Sequence, residues 1–288
     1  MSLRARLNDA LPITAPLVLN PLMARMVAAA GFTAGYLGGG ATGYLKVALE
    51  ANLNLTEMCQ AALDIRAACA LPLILDGACG YGDPMHMHRT IGMAEAAGFA
   101  AIEIEDQLMP KRAHHHVGLE HMIPLELMAA KVREAVAARR SRDFLVIGRT
   151  NAVRAGTMDD ALRRGEAYRQ AGADVVLLSM AHTPEQLRLI AERLGGPLMY
   201  LTGRAGLAGL GLSLRELGAL GYKIVADPST PLWAGYAAWK AVYAELAHDF
   251  GARAAKSDWS AVEHEVLDVI GIEALLAVER ATVERGRS

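Results

Sequence analysis

Eight short apolar runs, each followed by a stretch of helical spacing, constrain this chain more than any other feature. The runs are Pro16–Leu19, Thr33–Leu37, Pro72–Leu75, Ala101–Ile104, Phe144–Ile147, Val175–Leu178, Leu198–Leu201 and Lys223–Ala226. They are apolar throughout rather than alternating, as strands buried on both faces of a parallel sheet are. Between them, Pro21–Ala30, Thr56–Cys69, Met85–Ala97, Pro124–Ala138, Met158–Ala171 and Thr183–Leu194 repeat apolar residues at spacings of three and four. Ala30-Gly31-Phe32, Ala97-Gly98-Phe99 and Ala171-Gly172-Ala173 read as one helix-to-strand turn used three times, with Gly just past the helix end. The pattern predicts an α/β fold, a (β/α)8 TIM-like barrel with extra C-terminal helices. An open doubly wound sheet is the alternative. It is disfavoured because the first run leads into Asn20-Pro21 and not into a Gly-rich phosphate turn.

A chain of 288 residues suits one such barrel, and 53% hydrophobic with only 5% aromatic residues predicts a core of Ala, Val, Leu, Ile and Met. Residues 1–250 are expected to form the catalytic barrel and 251–288 a helical extension. Pro231–His248 and Trp259–Glu284 have helical spacing, and the second is more helix than closure of a barrel needs. It is expected to pack on a neighbouring subunit. With 29 basic and 31 acidic residues there is no basic excess to neutralise phosphates, so a nucleic-acid partner is not expected. Arg139, Arg140 and Arg142 read as the solvated end of a helix. No run approaches the ~18 apolar residues that span a bilayer, and Met1–Arg6 opens no signal-peptide core. Cys59, Cys69 and Cys79 lack paired spacing, which argues against a disulfide framework and for a reducing cytoplasm.

Chemistry in this architecture collects where strands end. The runs lead into Gly38-Gly39-Gly40, Asp76, Glu105-Asp106-Gln107, Arg149-Thr150-Asn151, Ser179, Thr202 and Asp227. Asp76 and Glu105, at neighbouring strand ends, would face one pocket and suit a hard cation such as Mg²⁺. Helix capping, or pairing with Lys111 or Arg112, accounts for them equally well. Three consecutive glycines offer bare backbone N–H groups to an anion, or make a simple turn. Arg149 ends a buried strand and needs an anionic partner: a substrate carboxylate, or Glu103 or Glu105 in a structural ion pair. His114, His115 and His116 are consecutive and cannot all face one ion. Cys79 follows the third run and is a nucleophile or a small core filler.

These residues carry a family resemblance. Leu73-Ile74-Leu75-Asp76-Gly77-Ala78-Cys79-Gly80-Tyr81-Gly82 resembles the V-D-A-D-T-G-Y-G metal motif of the isocitrate lyase/phosphoenolpyruvate mutase superfamily. Ile104-Glu105-Asp106-Gln107 with Pro110-Lys111-Arg112 resembles E-D-Q-x-x-P-K-R, and Gly148-Arg149-Thr150-Asn151-Ala152 resembles A-R-T-D-A. Tyr36-Leu37-Gly38-Gly39-Gly40 resembles Y-x-S-G-G, and Ala171-Gly172-Ala173-Asp174 resembles A-G-A-D. The matches run in order over about residues 10–245.

The resemblance implies a Mg²⁺ (or Mn²⁺) site, a small 2-oxo or 2-hydroxy acid substrate, enolate chemistry, and a homodimer or homotetramer that exchanges C-terminal helices. It implies metal roles for Asp76, for Glu105 just outside the metal's own ligands, and for Glu50, the nearest carboxylate to a further family Asp. Arg149 would anchor the substrate, and Tyr36, Gly38, Gly39, Gly40, Asn151 and Thr202 would line it. Lys111, His114 and His115 are the remaining candidate catalytic groups. Two departures stand out. Ala78 replaces the second metal-motif Asp, and Ala113 replaces the loop Cys that serves the lyases as acid/base. Arg149-Thr150-Asn151-Ala152 and Pro197–Thr202 look more like the oxaloacetate decarboxylase branch. The expectation is therefore a carbon–carbon lyase or decarboxylase. The alternatives are a C–P enzyme of the same superfamily and a barrel that binds a small acid without turnover.

Overall fold

The computed structural model describes residues 1–203, 205–250 and 259–284. Eight strands form one parallel sheet: β1 (Ile13–Pro16), β2 (Gly35–Leu37), β3 (Leu73–Asp76), β4 (Ala101–Glu105), β5 (Leu145–Thr150), β6 (Val175–Leu178), β7 (Leu198–Leu201) and β8 (Tyr222–Asp227). β1 pairs with β8, and the order then runs back through the chain to β2. A bridge between Leu17 and Tyr36 joins the two edges, with the Val18 N–H donating to the Tyr36 carbonyl at 2.9 Å. The sheet thus closes into a nearly complete barrel, as the alternation predicts.

Two of the expected runs, at β6 and β7, coincide with their strands. The first is displaced: the ladder occupies Ile13–Pro16, ahead of the run Pro16–Leu19. Polar Thr14 hides this strand from a hydrophobicity reading, while Leu17 and Val18 are buried after it. β3, β4, β5 and β8 each continue past their apolar runs into charged or polar residues. The extensions of β3, β4 and β5 carry Asp76, Glu105 and Arg149.

Side chains alternate across the barrel wall. Ile74, Ala101, Leu145, Ile147, Val175, Leu177, Met199, Ile224 and Ala226 fill the interior, joined by Leu3 and Leu7 from the N-terminal segment. Leu73, Leu75, Ile102, Ile104, Val146 and Val176 face outward against the helices. These include Pro21–Ala29, Leu55–Ala68, Met87–Ala96, Leu125–Ala138, Met158–Gln170 and Pro184–Leu194, each within two residues of its expected span. Gly31, Gly98 and Gly172 stand at φ 86°, 84° and 103°, so the repeated Ala-Gly turn requires the left-handed region each time.

The chain divides into two compact units, Met1–Thr230 and Pro231–Ser288. In the second, the expected helix Trp259–Glu284 is two helices, Trp259–Ile270 and Ile272–Ala281, broken at Gly271 in the left-handed region. Neither buries a residue, and Trp259, Val262, Val266, Leu275 and Val278 are exposed. Among the described residues no helix is long and apolar enough to cross a membrane. Cys59, Cys69 and Cys79 are free thiols.

Candidate active site

Period-two alternation places the chemistry. On β4, Ala101, Glu103 and Glu105 face inward; on β5, Leu145, Ile147 and Arg149 do. The register sets Asp76 beside Glu103 and Glu105 beside Arg149. Three inward carboxylates therefore meet one guanidinium at the C-terminal ends of β3 to β5. Arg149 Nη1 donates to Glu103 Oε1 at 2.6 Å, its Nη2 donates to Asn151 Oδ1 at 3.1 Å, and its Nε lies 3.3 Å from Glu105 Oε2. Of its five N–H groups, one on each terminal nitrogen stays available to an anion.

Loops bring two more charges. Lys111 folds back so that its Nζ donates to Glu105 Oε1 at 2.5 Å and to Glu50 Oε2 at 2.6 Å. Glu50, Asp76, Glu103, Glu105, Lys111 and Arg149 are all buried. Four carboxyl groups face two cations, a formal excess of two negative charges (4 − 2) when every group is ionised. Burial, with Asp76 beside them, pushes Glu50 up to about 8 and Glu103 up to about 7. Although burial also acts on Glu105, Lys111 and Arg149 hold its carboxyl well below the usual range. Its two carboxylate partners hold Lys111 firmly protonated.

Asp76 accepts from the Gly39 N–H at 3.0 Å and from the Ala78 N–H at 3.1 Å. This corrects the reading of Gly38-Gly39-Gly40 as a free backbone cradle. The segment Gly39–Leu45 is a helix, and the Gly39 amide is taken by Asp76. Glycine is needed at Gly39 because a Cβ there would lie 2.7 Å from Glu50 Cγ. Gly40 faces open space. Tyr36 lies inside the barrel and donates to Glu103 Oε2 at 3.2 Å, supporting that carboxylate. Asn151 Nδ2 donates to Glu105 Oε2 at 2.7 Å. Thr202 Oγ1 and Glu50 Oε1 are buried without a hydrogen-bond partner among the described residues.

The residues fit a hard divalent cation. All donors are oxygens, carboxyl groups outnumber cations four to two, and Glu50 Oε1 lacks a donor among the described residues. Among the described residues no group of three or more His, Cys, Asp or Glu side chains is placed to hold a metal ion by itself. Mg²⁺ commonly takes one or two carboxylates and completes its octahedron with water and substrate oxygens. Asp76 supplies such a carboxylate, with a lone pair remaining on each oxygen; Glu50 and Glu105 flank it rather than converge.

The three histidines separate, as their spacing predicts. His114 is exposed and stacks on His121, and His116 Nδ1 lies 3.1 Å from the Tyr44 hydroxyl. His115 alone turns inward, its Nδ1 2.8 Å from Gln107 Nε2 and 2.9 Å from Glu120 Oε2. Burial and the cations Lys111, Arg149 and Arg154 push it down to about 4. It is therefore neutral at neutral pH and a weaker base than an ordinary imidazole. Burial raises the Cys79 thiol far above its ordinary value, which removes it as a nucleophile.

Sequence reasoning underweighted Glu103, offered only as one partner of Arg149. The signal was present: in Ala101-Ile102-Glu103-Ile104-Glu105 the two glutamates share a face. It also missed the support behind the wall. Asp106 accepts from Tyr168 Oη at 2.5 Å and from Arg164 Nη1 at 3.2 Å, while its Oδ1 accepts from the Asn151 N–H at 3.1 Å. Nor did it single out Glu120, whose side chain is buried and bonded to Arg154.

A family model described as phosphoenolpyruvate phosphomutase matches residues 3–247. The chain belongs to the phosphoenolpyruvate mutase/isocitrate lyase superfamily. It is 32% identical to a 2,3-dimethylmalate lyase of Eubacterium barkeri, with 96% of each chain covered. It is 34% identical to an oxaloacetate decarboxylase of Pseudomonas putida (strain GB-1), covering 85% of this chain and 83% of that one. Its fold matches a phosphonopyruvate hydrolase solved with oxalate and Mg²⁺ at a TM-score of 0.82 and 29% identity, over 98% of this chain and 100% of that one.

Proposed function

We propose that this superfamily member is a divalent-metal-dependent lyase or decarboxylase that acts on a small 2-oxo or 2-hydroxy diacid through an enolate. The carrying observation is the buried layer Glu50, Asp76, Glu103, Glu105, Lys111 and Arg149, in which four carboxyl groups face two cations. Likeness to a 2,3-dimethylmalate lyase and an oxaloacetate decarboxylase supports the substrate class.

Asp76, flanked by Glu50 and Glu105, would hold Mg²⁺ or Mn²⁺. The ion would supply Lewis-acid stabilisation of charge developing on the substrate's oxygens. Arg149, fixed by Glu103 and Asn151, presents its two remaining N–H groups to a substrate carboxylate. Lys111 bridges Glu50 and Glu105 and would add positive charge near the negative charge that develops on the substrate. Ala113, on the loop segment Ala113–Val117, has no transferable proton. Loss of CO2 needs no loop acid at the departing group, so decarboxylation suits this loop better than aldol-type cleavage.

The test is a panel of oxaloacetate, 2,3-dimethylmalate, 2-methylisocitrate and phosphonopyruvate, each with and without Mg²⁺. Metal-dependent release of CO2 or of a 2-oxo acid, lost in Asp76→Asn, is expected. Phosphate release from phosphonopyruvate alone would replace this reading with the C–P one, which the phosphonopyruvate hydrolase likeness favours. No turnover of any member would leave the acid-binding barrel. The exposed apolar residues of Trp259–Ile270 and Ile272–Ala281 support a second copy of this chain as partner, which sedimentation velocity would reveal as a dimer or tetramer.

A further inference from the structure

The opposite end of the barrel carries a second charged feature. Where helix Leu125–Ala138 gives way to β5, Arg139, Arg140 and Arg142 line a cavity of about 560 Å³ together with Arg4 and Val136. Arg4 belongs to the short helix Leu3–Arg6, whose Leu3 enters the barrel interior. This wall is preorganised. Asp174 takes Arg4 Nη2 on Oδ1 at 2.6 Å and Arg139 Nη1 on Oδ2 at 2.5 Å, and Oδ2 also accepts from the Val146 N–H at 2.8 Å. Arg139 Nη1 further donates to the Phe144 carbonyl at 3.2 Å, and Arg4 Nε donates to the Arg142 carbonyl. The Arg140 backbone N–H is fixed by Glu95 Oε2 at 2.9 Å.

The guanidinium groups of Arg140 and Arg142 have no hydrogen bond or ion pair among the described residues. Four guanidinium groups line one concavity, where Asp174 pairs with Arg4 and Arg139 and the Glu95 carboxylate is held by the Arg140 and Ser141 backbone N–H groups. Glu95 and Asp143 line an adjoining cavity, and neither pairs with the Arg140 or Arg142 guanidinium among the described residues. Like charges held this close repel one another, and a bound anion relieves that repulsion. Arginine forks suit the flat, paired oxygens of phosphates and carboxylates.

We propose that this cavity binds a small, multiply charged oxyanion, such as a diphosphate or tricarboxylate, apart from the catalytic mouth. The site explains why Arg140 and Arg142 lie beside two arginines already sharing one carboxylate. The proposal does not rest on the reaction assigned above.

The test is calorimetric titration of the full chain in metal-free, low-salt buffer with inorganic pyrophosphate and, separately, propane-1,2,3-tricarboxylate. The comparison is the Arg140→Ala/Arg142→Ala variant; both side chains are exposed, so the fold should persist, and its melting curve checks this. Binding of at least one probe at one per chain is expected, weakened at least tenfold by the double substitution and by added salt. Which probe binds assigns the phosphate or polycarboxylate class. No binding at millimolar probe, or equal affinity in wild type and variant, would overturn the site.

Discussion

At the start of β4 and β5 the inward side chains are Ala101, Leu145 and Ile147, all hydrocarbon; at the far end of the same strands they are Glu103, Glu105 and Arg149. Both sets are almost wholly removed from water. The lower layer gains by burial, roughly 25 cal/mol for each Å² of apolar surface. In the upper layer desolvation opposes each charge, and packed hydrocarbon in its place is often as stable or more so. Folding alone gives no reason for six buried ionisable groups at one end, so their presence points to chemistry there.

The contrast can be broken from either side. The largest effect is expected for Arg149→Leu, which strands Glu103 and removes the substrate anchor. Stability should fall by about 3–5 kcal/mol, and kcat/KM by on the order of a thousandfold. Adding Glu103→Leu should recover part of the stability and none of the activity, as denaturant melts and assays of the same samples would show. Next comes Ile147→Ala in the lower layer: a loss of about 2–5 kcal/mol, with kcat/KM of the folded fraction within a few-fold of wild type. Equal activity losses in both layers would mean that the layers are not functionally distinct.

A smaller effect concerns His115. Its value of about 4 lies below the ordinary 6.5, so between those pH values the unfolded chain binds more protons. Its contribution to stability is complete above pH 6.5 and declines as pH falls towards 4. His115→Gln should flatten the stability–pH curve in that window by up to about 1 kcal/mol per pH unit. An unchanged slope would show that His115 titrates normally.

The barrel was legible because each buried strand is a run of hydrocarbon with a helix behind it, and neither depends on distant residues. β1 was misplaced because Thr14 interrupts its pattern, and Gly39–Leu45 was missed because three glycines suggest a loop. Asp76, Glu105 and Arg149 could be anticipated as strand-end charges. Glu103 required counting the face of β4. The return of Lys111 to Glu50 and Glu105 depends on loop paths that local pattern does not encode. The same holds for the floor, where Arg139, Arg140 and Arg142 read as a helix end until Arg4 and Asp174 are brought beside them.

The most direct measurement is calorimetric titration of metal-stripped protein with oxalate, a planar mimic of an enolate, in the presence and absence of Mg²⁺. The account predicts that oxalate binds only with the metal and that Asp76→Asn abolishes this binding. Oxalate binding that is equally tight without metal, or unaffected by Asp76→Asn, would contradict it.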